Sequence, residues 1–561
     1  RRPPRSTHCI SSAASDVYKR QLGASIGSCV HTVGLLNFLD LAKQNGFEVI
    51  YLGAAIPVDK VVAAIEKENP ELVALSYRLS AEPLHNLLTE LEKTLKKKQL
   101  LNRTYVFGGT FEAANEAKKF EFINKTFDGS EEIEDIIMFL RGTSVGKRKE
   151  QVFPQTLGER IKFKSPFPLV RHHIGLESVE KTAREIEKMA ESELLDIISI
   201  APDQNCQQHF FDPENMDHSQ DGAGGVPLRR KEDFELLYKA SRRGNYPLVR
   251  CYAGTSHMIE FSKLLKETIN NAWAAVPLWW YSKLDRRSER PLLAAIEENI
   301  KAIQWNAQNN VPVEINDSHQ WALRRCHDSL EVATAYIVAY IAKALGVREY
   351  VQQFMLETPS GLSPRGDIAK MLAKKELIES LQNSDFRVYR MIRTGLLSMP
   401  ADPYSAMGQL SSSMFYGWLL KPHIIHVVAY CESMERATSK EIIESVKMSR
   451  RAVNMAMRGF VDPSTDPWIN TQKNRIKDEA LMIVEAVKNL KNGKDDDLLE
   501  KDVLYKAVES GILDAPALKN FSVAKGAVKT TVVDGCCRCV DDKGNVISEQ
   551  DRLRQLTEHL C

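Results

Sequence analysis

SIGSCVHTVGLLNF (residues 25–38) leaves an apolar strand, passes through a histidine and then a glycine, and runs straight into a helix. A lone histidine in such a turn is as well explained by a helix cap or a surface residue. The sequence around it decides between the readings. From 22 to 142 apolar strands alternate with amphipathic helices: LGASIG then LLNFLDLAKQNG, FEVIYLGAA then VDKVVAAIEKEN, ELVALSYR then EPLHNLLTELEKTLKKK, TYVFGG then FEAANEAKKF. That alternation predicts a parallel sheet covered by helices on both faces. In such sheets ligands sit beyond the C-terminal strand ends. His31, Ser76 and the Gly108–Gly109 pair all fall there, and Gly34 lets bulk approach the backbone. The layout is a long groove, poor in side chains, with one nitrogen donor at its floor. It suits a large flat ligand with a tail and a metal.

The whole chain has 561 residues, too many for one core, so two to four domains are expected. Its 43% hydrophobic and 27% charged residues are those of a globular protein. With 75 basic against 74 acidic residues the net charge is +1, which gives no field favouring nucleic acid or an anionic membrane. No apolar run approaches the roughly 18 residues of a membrane helix. Ten cysteines over this length are no disulfide framework, and a reducing cytoplasm is the default expectation. Residues 1–21, RRPPRSTHCISSAASDVYKRQ, are basic, rich in serine and aperiodic. They read as a non-native, adapter-like leader outside the fold, with the first strand surviving from Leu22. Lys-rich 93–98 reads as the solvated end of a helix.

GTSVGKRKEQVFPQT (142–156) reads as part of a linker over 143–164. A second βα alternation follows, with strands at DIISIAPD, YPLVRCYA, AWAAVPLWWY, VPVEINDS, VQQFMLETP, FRVYRMIRTG and HIIHVVAY. Seven strands point to a (β/α)8 TIM-type barrel over 165–490 with one strand unassigned. KNGKDDDLLEKD (491–502) marks a break, and 495–561 reads as a small α+β domain with a hairpin through VVDGCCRCVDDKGNVI and a last helix capped by Ser548 and Asp551.

The first region resembles the cobalamin-binding domain of base-off, His-on enzymes, most closely the small subunit of glutamate mutase (methylaspartate mutase). That family's D-x-H-x-x-G, its later Ser and its Gly-Gly pair are matched by His31, Gly34, Ser76, Gly108 and Gly109. The resemblance implies a flavodoxin-like fold in which His31 ligates cobalt from below. It also implies that the displaced nucleotide tail slides between sheet and helix past Ser76 and the glycines, with Ser28 and Cys29 among the cofactor-binding residues. Cys29 stands where the family has an Asp that orients the imidazole, a substitution that softens that support. The middle region resembles the barrel subunit of the same mutase through PLVRCYAGT, VPVEIND and AYCESMERATSKEIIES. Arg250 matches a family arginine near the substrate, although an ion pair with a barrel acid would equally explain it. Asp317 stands in place of a second, carboxylate-holding arginine, which argues against glutamate itself as substrate. The family's adenosine-contacting Lys and Glu have no clean counterpart; Glu432 is a shifted match.

Other residues are singled out by position. Asp203, Gln204 and Asn205 leave a barrel strand, and His319, Arg324, Arg325 and His327 follow another. Polar residues there serve sites, and Asp and Asn also cap helices. DGAGGVP (221–227) is a weak phosphate signal. Trp279, Trp280 and Tyr281 read as packing before stacking. Cys536, Cys537, Cys539 and Cys561 have poor zinc spacing. The reading is therefore an α/β, cobalamin-dependent isomerase, a radical carbon-skeleton mutase acting on a small carboxylic or amino acid. Its catalytic candidates are Arg250, Asp203, Asn205, Asp317 and His319, its cofactor adenosylcobalamin, and His31 its cobalt ligand. Neither nucleic acid nor membrane is an expected partner, and a homo-oligomer is allowed. The alternatives are a corrinoid methyltransferase or a non-catalytic cobalamin-binding protein.

Overall fold

The computed structural model describes residues 19–142, 149–252, 254–521 and 523–558. The chain divides into two compact units, Arg1–Val152 and Phe153–Cys561. Most of the expected leader, 1–18, and Cys561 lie outside the described residues. Lys19–Gln21, expected in the leader, instead open the first strand.

The first unit holds five strands, β1 (Lys19–Ile26), β2 (Phe47–Ile56), β3 (Leu72–Tyr77), β4 (Thr104–Gly109) and β5 (Ile123–Phe127), in the order β2-β1-β3-β4-β5. Every ladder is parallel. This is the flavodoxin-like order, with its switch point between β1 and β3. β1 and β3 are central and buried from Gln21 and Leu72 onward, which is why they read as unbroken apolar runs. Helices cover the sheet with one apolar stripe each. On Ala81–Lys97 the stripe is Leu84, Leu88, Leu91 and Leu95, all fully buried at helical spacing. The lysines at its end are exposed, as expected.

The second unit carries eight parallel strands: β6 (Leu169–Ile174), β7 (Ile197–Ile200), β8 (Leu248–Cys251), β9 (Ala274–Val276), β10 (Val313–Ile315), β11 (Glu349–Met355), β12 (Arg387–Arg393) and β13 (Ile424–His426). β13 pairs with β6, so the sheet curls into a nearly closed barrel. The seam between β8 and β9 has no ladder among the described residues. Ala272 N–H donates to the Val249 carbonyl across it, and Cys251 N–H to Asn271 Oδ1. The strand that sequence reading left unassigned is β6, whose apolar run LVRHHI is broken by Arg171, His172 and His173.

Period two along the strands builds the barrel interior in layers. Leu169, Ile197, Leu248, Val351, Met391 and Ile424 share one buried apolar cluster. Two residues further along the same strands stand Arg171, Ser199, Arg250, Gln353, Arg393 and His426, a polar layer above an apolar floor.

The last segment does not form a core of its own. Leu504, Val508, Leu513 and Leu518 are buried in one cluster with Trp279, Trp321 and Leu330 of the barrel, and Trp279 Nε1 donates to the Leu504 carbonyl. The expected hairpin is present as β14 (Thr530–Val533) and β15 (Cys536–Cys539), closed by Asp534 and Gly535, both at positive φ. Ser548 and Asp551 cap the last helix, Asp551 N–H donating to Ser548 Oγ at 3.1 Å.

Candidate functional site

In the first unit the matched residues gather at the C-terminal ends of the strands. Ser25 pairs in register with Ser76, and Ser76 with Gly108, so a row of small residues crosses β1, β3 and β4. A Cβ on Gly108 or on Gly34 would meet no atom within 4 Å, whereas one on Gly109 would strike the Tyr77 carbonyl oxygen at 2.5 Å. Gly109 is thus fixed by packing, and Gly34 and Gly108 leave open space. His31 is exposed, and Ser28 is exposed beside it. Val30 and Val33, on either side of His31, are 65% and 72% exposed, and Phe111 after β4 is 69% exposed. Apolar side chains left in water around a histidine, next to a groove without side chains, fit the flat hydrophobic face and the tail of a corrinoid.

Cys29 is fully buried under this turn. Its Sγ lies 3.8 Å from His31 Nδ1 and accepts the Arg78 N–H at 3.3 Å. The sulfur therefore occupies the place from which an outer-shell acceptor orients a ligating imidazole, at longer range than a carboxylate would.

In the second unit the polar layer lines a cavity of about 170 Å³, bounded by Arg171, Arg250, Arg393, Glu314, Asn316, His319, Gln320, Gln353, His426, Tyr252 and Tyr281. Arg171 is held by Ser199 Oγ at 2.7 Å and by His426 Nδ1 at 3.0 Å. Burial and the neighbouring Arg250 bring its pKa down to about 9. Arg250 is 1% exposed and stacks between Trp273 and Tyr252, 4.9 and 5.0 Å from their ring centres. Among the described residues none of its three guanidinium nitrogens has a hydrogen-bond partner. His319 and His426 are pushed well below the usual imidazole range by burial and by the arginines, so both are neutral near pH 7. The lining thus sets three cations against the single carboxylate of Glu314.

The structure brings two of the five barrel candidates, Arg250 and His319, to this cavity. The other three are turned to structural work. Asp317 does not stand where a cation is needed: its oxygens accept the N–H groups of Leu278 and Trp279 at 2.7 and 2.8 Å, and burial raises its carboxyl to about 7. Asp203 caps the helix Gln204–His209 and pairs with Arg229, and Asn205 clasps Asp217 and Asp221. Trp279 and Trp280 pack against Trp321, as expected, while Tyr281 reaches the cavity. Cys536, Cys537 and Cys539 do not converge on one point. Cys537 Sγ contacts the Cys326 carbonyl, and Cys539 lies with His327 and Glu549.

Arg171 and Arg393 were missed by sequence reading. The signal was an arginine two residues beyond an apolar barrel residue, repeated on β6, β8 and β12. Also missed were His172 and His173, whose imidazoles face Glu432.

The family described as B12 binding domain matches residues 19–127, and the family described as Methylaspartate mutase E chain (MutE) matches residues 318–559. The second match runs through the last segment, in keeping with its shared core. No curated protein matches the chain. Among solved structures, a cobalamin-binding protein from Desulfitobacterium hafniense DCB-2 is 27% identical over 19% of this chain and 52% of its own, with a TM-score of 0.18. The chain therefore spans about half the length of that relative. A structure described as "Native KDPGal structure" is 11% identical over 53% of this chain and 98% of its own, with a TM-score of 0.29. The cobalamin-dependent S-adenosylmethionine radical enzyme OxsB is 10% identical over 97% and 80%, with a TM-score of 0.18. The chain thus carries a B12-binding domain at its N-terminal end and a mutase E chain region in its C-terminal part.

Proposed function

We propose that this chain, a B12-binding domain joined to a methylaspartate mutase E chain region, is a cobalamin-dependent isomerase that moves a group between adjacent carbons of a small dicarboxylic or amino acid. The observation that carries the reading is Arg250, a buried guanidinium with no hydrogen-bond partner inside a cationic barrel cavity. Burying a charge whose ion pair is only partly formed, with Glu314 at 3.8 Å, is expensive, and an anionic ligand relieves it.

When bound, adenosylcobalamin supplies a homolysable cobalt–carbon bond, the radical source that carbon-skeleton rearrangement needs. His31 is the residue that would ligate cobalt, with Cys29 behind it. Ser28, Gly34, Ser76, Gly108 and Gly109 would border the tail.

The barrel residues bind and orient. Arg250 presents its fork to a carboxylate, while Arg171, whose Nε and Nη1 are engaged by Ser199, Met391 and His426, and Arg393 add positive charge to the cavity. Neutral His319, with Nδ1 unpartnered among the described residues, can hydrogen-bond a polar group of the substrate. The apolar floor under the cavity excludes water from below. Three cations favour two carboxylates over one, which supports small diacids within the substrate class and removes the argument that Asp317 made against glutamate itself.

The test is to reconstitute the full chain with adenosylcobalamin and incubate it with carbon-13-labelled small diacids and amino acids. A rearranged carbon skeleton in the NMR spectrum is expected, formed more slowly at limiting substrate in Arg250→Lys. Methyl transfer from methylcobalamin with no rearrangement would replace the reading with a corrinoid methyltransferase.

A further inference from the structure

His172 and His173 are consecutive residues of β6, and Glu432 follows β13, the strand paired with β6. Their ligand atoms lie within 4.8 Å of one another. Glu432 Oε1 is 3.0 Å from His172 Nε2, and Oε2 is 3.4 Å from His173 Nε2. The tautomer of His172 is set by its surroundings. Its Nδ1–H donates to the His173 carbonyl, and its Nε2 lies 3.2 Å from the Ala429 N–H and faces Glu432. The same Ala429 N–H donates to Glu432 Oε1 at 3.0 Å. His172 Nε2 and Glu432 Oε1 therefore meet at the one point where both could turn a donor atom to a cation. His173 adds a second imidazole whose Nδ1 is buried with no partner.

We propose that His172, His173 and Glu432 form a binding site for a divalent transition-metal ion beside the barrel cavity. Two ligands at 2.0–2.1 Å from a tetrahedral ion are separated by about 3.3 Å, which the 3.0 and 3.4 Å separations bracket. Two imidazoles and one carboxylate make three protein ligands, so at least one coordination position stays open for water or a substrate oxygen. The backbone carbonyl on His172 Nδ1 is the outer-shell support that ligating histidines use. The His173 ring packs against Tyr252 and His426, 6.1 and 5.8 Å between centres, and both line the cavity. A second such cluster among the described residues, His327, Cys539 and Glu549, has its carboxylate already engaged by Arg552, which disfavours a second cation. The proposal does not depend on the isomerase reading.

The test uses the corrinoid-free full chain, stripped with a chelator and titrated with zinc by calorimetry. One zinc per chain is expected, weakened by roughly 100-fold or more in His173→Gln and Glu432→Gln and unchanged in Cys539→Ser. Circular dichroism checks that the variants fold. X-ray absorption of the zinc-loaded parent gives a second readout that needs no variant, with two imidazoles, oxygen and no sulfur expected. No zinc uptake, uptake undiminished in both folded variants, or sulfur in the zinc shell would each overturn the site.

Discussion

Arg250 lies 3.8 Å from Glu314, beyond hydrogen-bond reach, while the same Glu314 oxygen accepts the Trp273 indole N–H at 2.8 Å. The nearest carboxylate is thus committed to a neighbour, and the arginine is held flat between two rings with its donors free. The ion pair that would make Arg250 purely structural is only partly formed. Arg250→Lys keeps the charge and loses the fork. Charge-assisted hydrogen bonds are worth about 1.5–3 kcal/mol, so substrate affinity should fall roughly 10–100-fold. Isothermal titration with the substrate found by NMR checks it; unchanged affinity would remove Arg250 from the site.

His31→Ala should abolish the axial nitrogen hyperfine splitting in the cobalt(II) spectrum of the reconstituted protein and weaken corrinoid binding. Cys29→Asp should tighten binding by up to about 10-fold, because a carboxylate accepts the imidazole N–H better than a thiol 3.8 Å away. Electron paramagnetic resonance with nitrogen-15 histidine reads the first, and corrinoid titration the second.

His327 gives a pH-dependent stability. It is buried 3.0 Å from Glu549, and although burial works against its charge, Cys539 and Glu549 raise its pKa to about 10 from an ordinary 6.5. Its contribution is fully present below pH 6.5 and disappears as pH rises through 10. Glu549 is lowered to about 2, against burial, by Arg552 and His327, so its contribution is present above the ordinary 4.5 and lost as pH falls toward 2. The difference in unfolding free energy between the parent and His327→Gln should therefore shrink steadily between those two upper values. Urea unfolding across that range measures it, and a difference independent of pH would contradict it.

Lys370 is fully buried with Glu331 at 2.9 Å and Asp367 and Asp328 at 3.6 and 3.7 Å. Of the three carboxylates that Lys370→Met strips of their ammonium, Glu331 keeps one, Lys374 at 3.0 Å. A loss of about 3–5 kcal/mol is expected from uncompensated buried charge. Chemical denaturation checks it.

Both parallel sheets were legible because buried strands are apolar runs and the covering helices carry a clear stripe, as in Leu84, Leu88, Leu91 and Leu95. β6 was not, because Arg171, His172 and His173 place the chemistry inside the strand and destroy the apolar signal. The place of His31, exposed in a strand-to-helix turn beyond β1, was legible from local spacing. Asp317 misled because position alone cannot show that a carboxylate is spent on two backbone N–H groups. The shared core of the last segment was hidden for a similar reason. Leu504 and Leu513 look like the core of a small domain until the barrel's Trp279 is seen among them.

The central claim is that this chain isomerises a small acid by a cobalamin-borne radical, and hydrogen exchange tests it most directly. The reconstituted chain should be incubated with adenosylcobalamin tritiated at the 5′ carbon and small diacids or amino acids, with Arg250→Lys in parallel. The account predicts tritium in recovered substrate and product with the parent chain and little with the variant. Retention of all tritium in the cofactor across that panel, with corrinoid bound and His31 on cobalt, would contradict it.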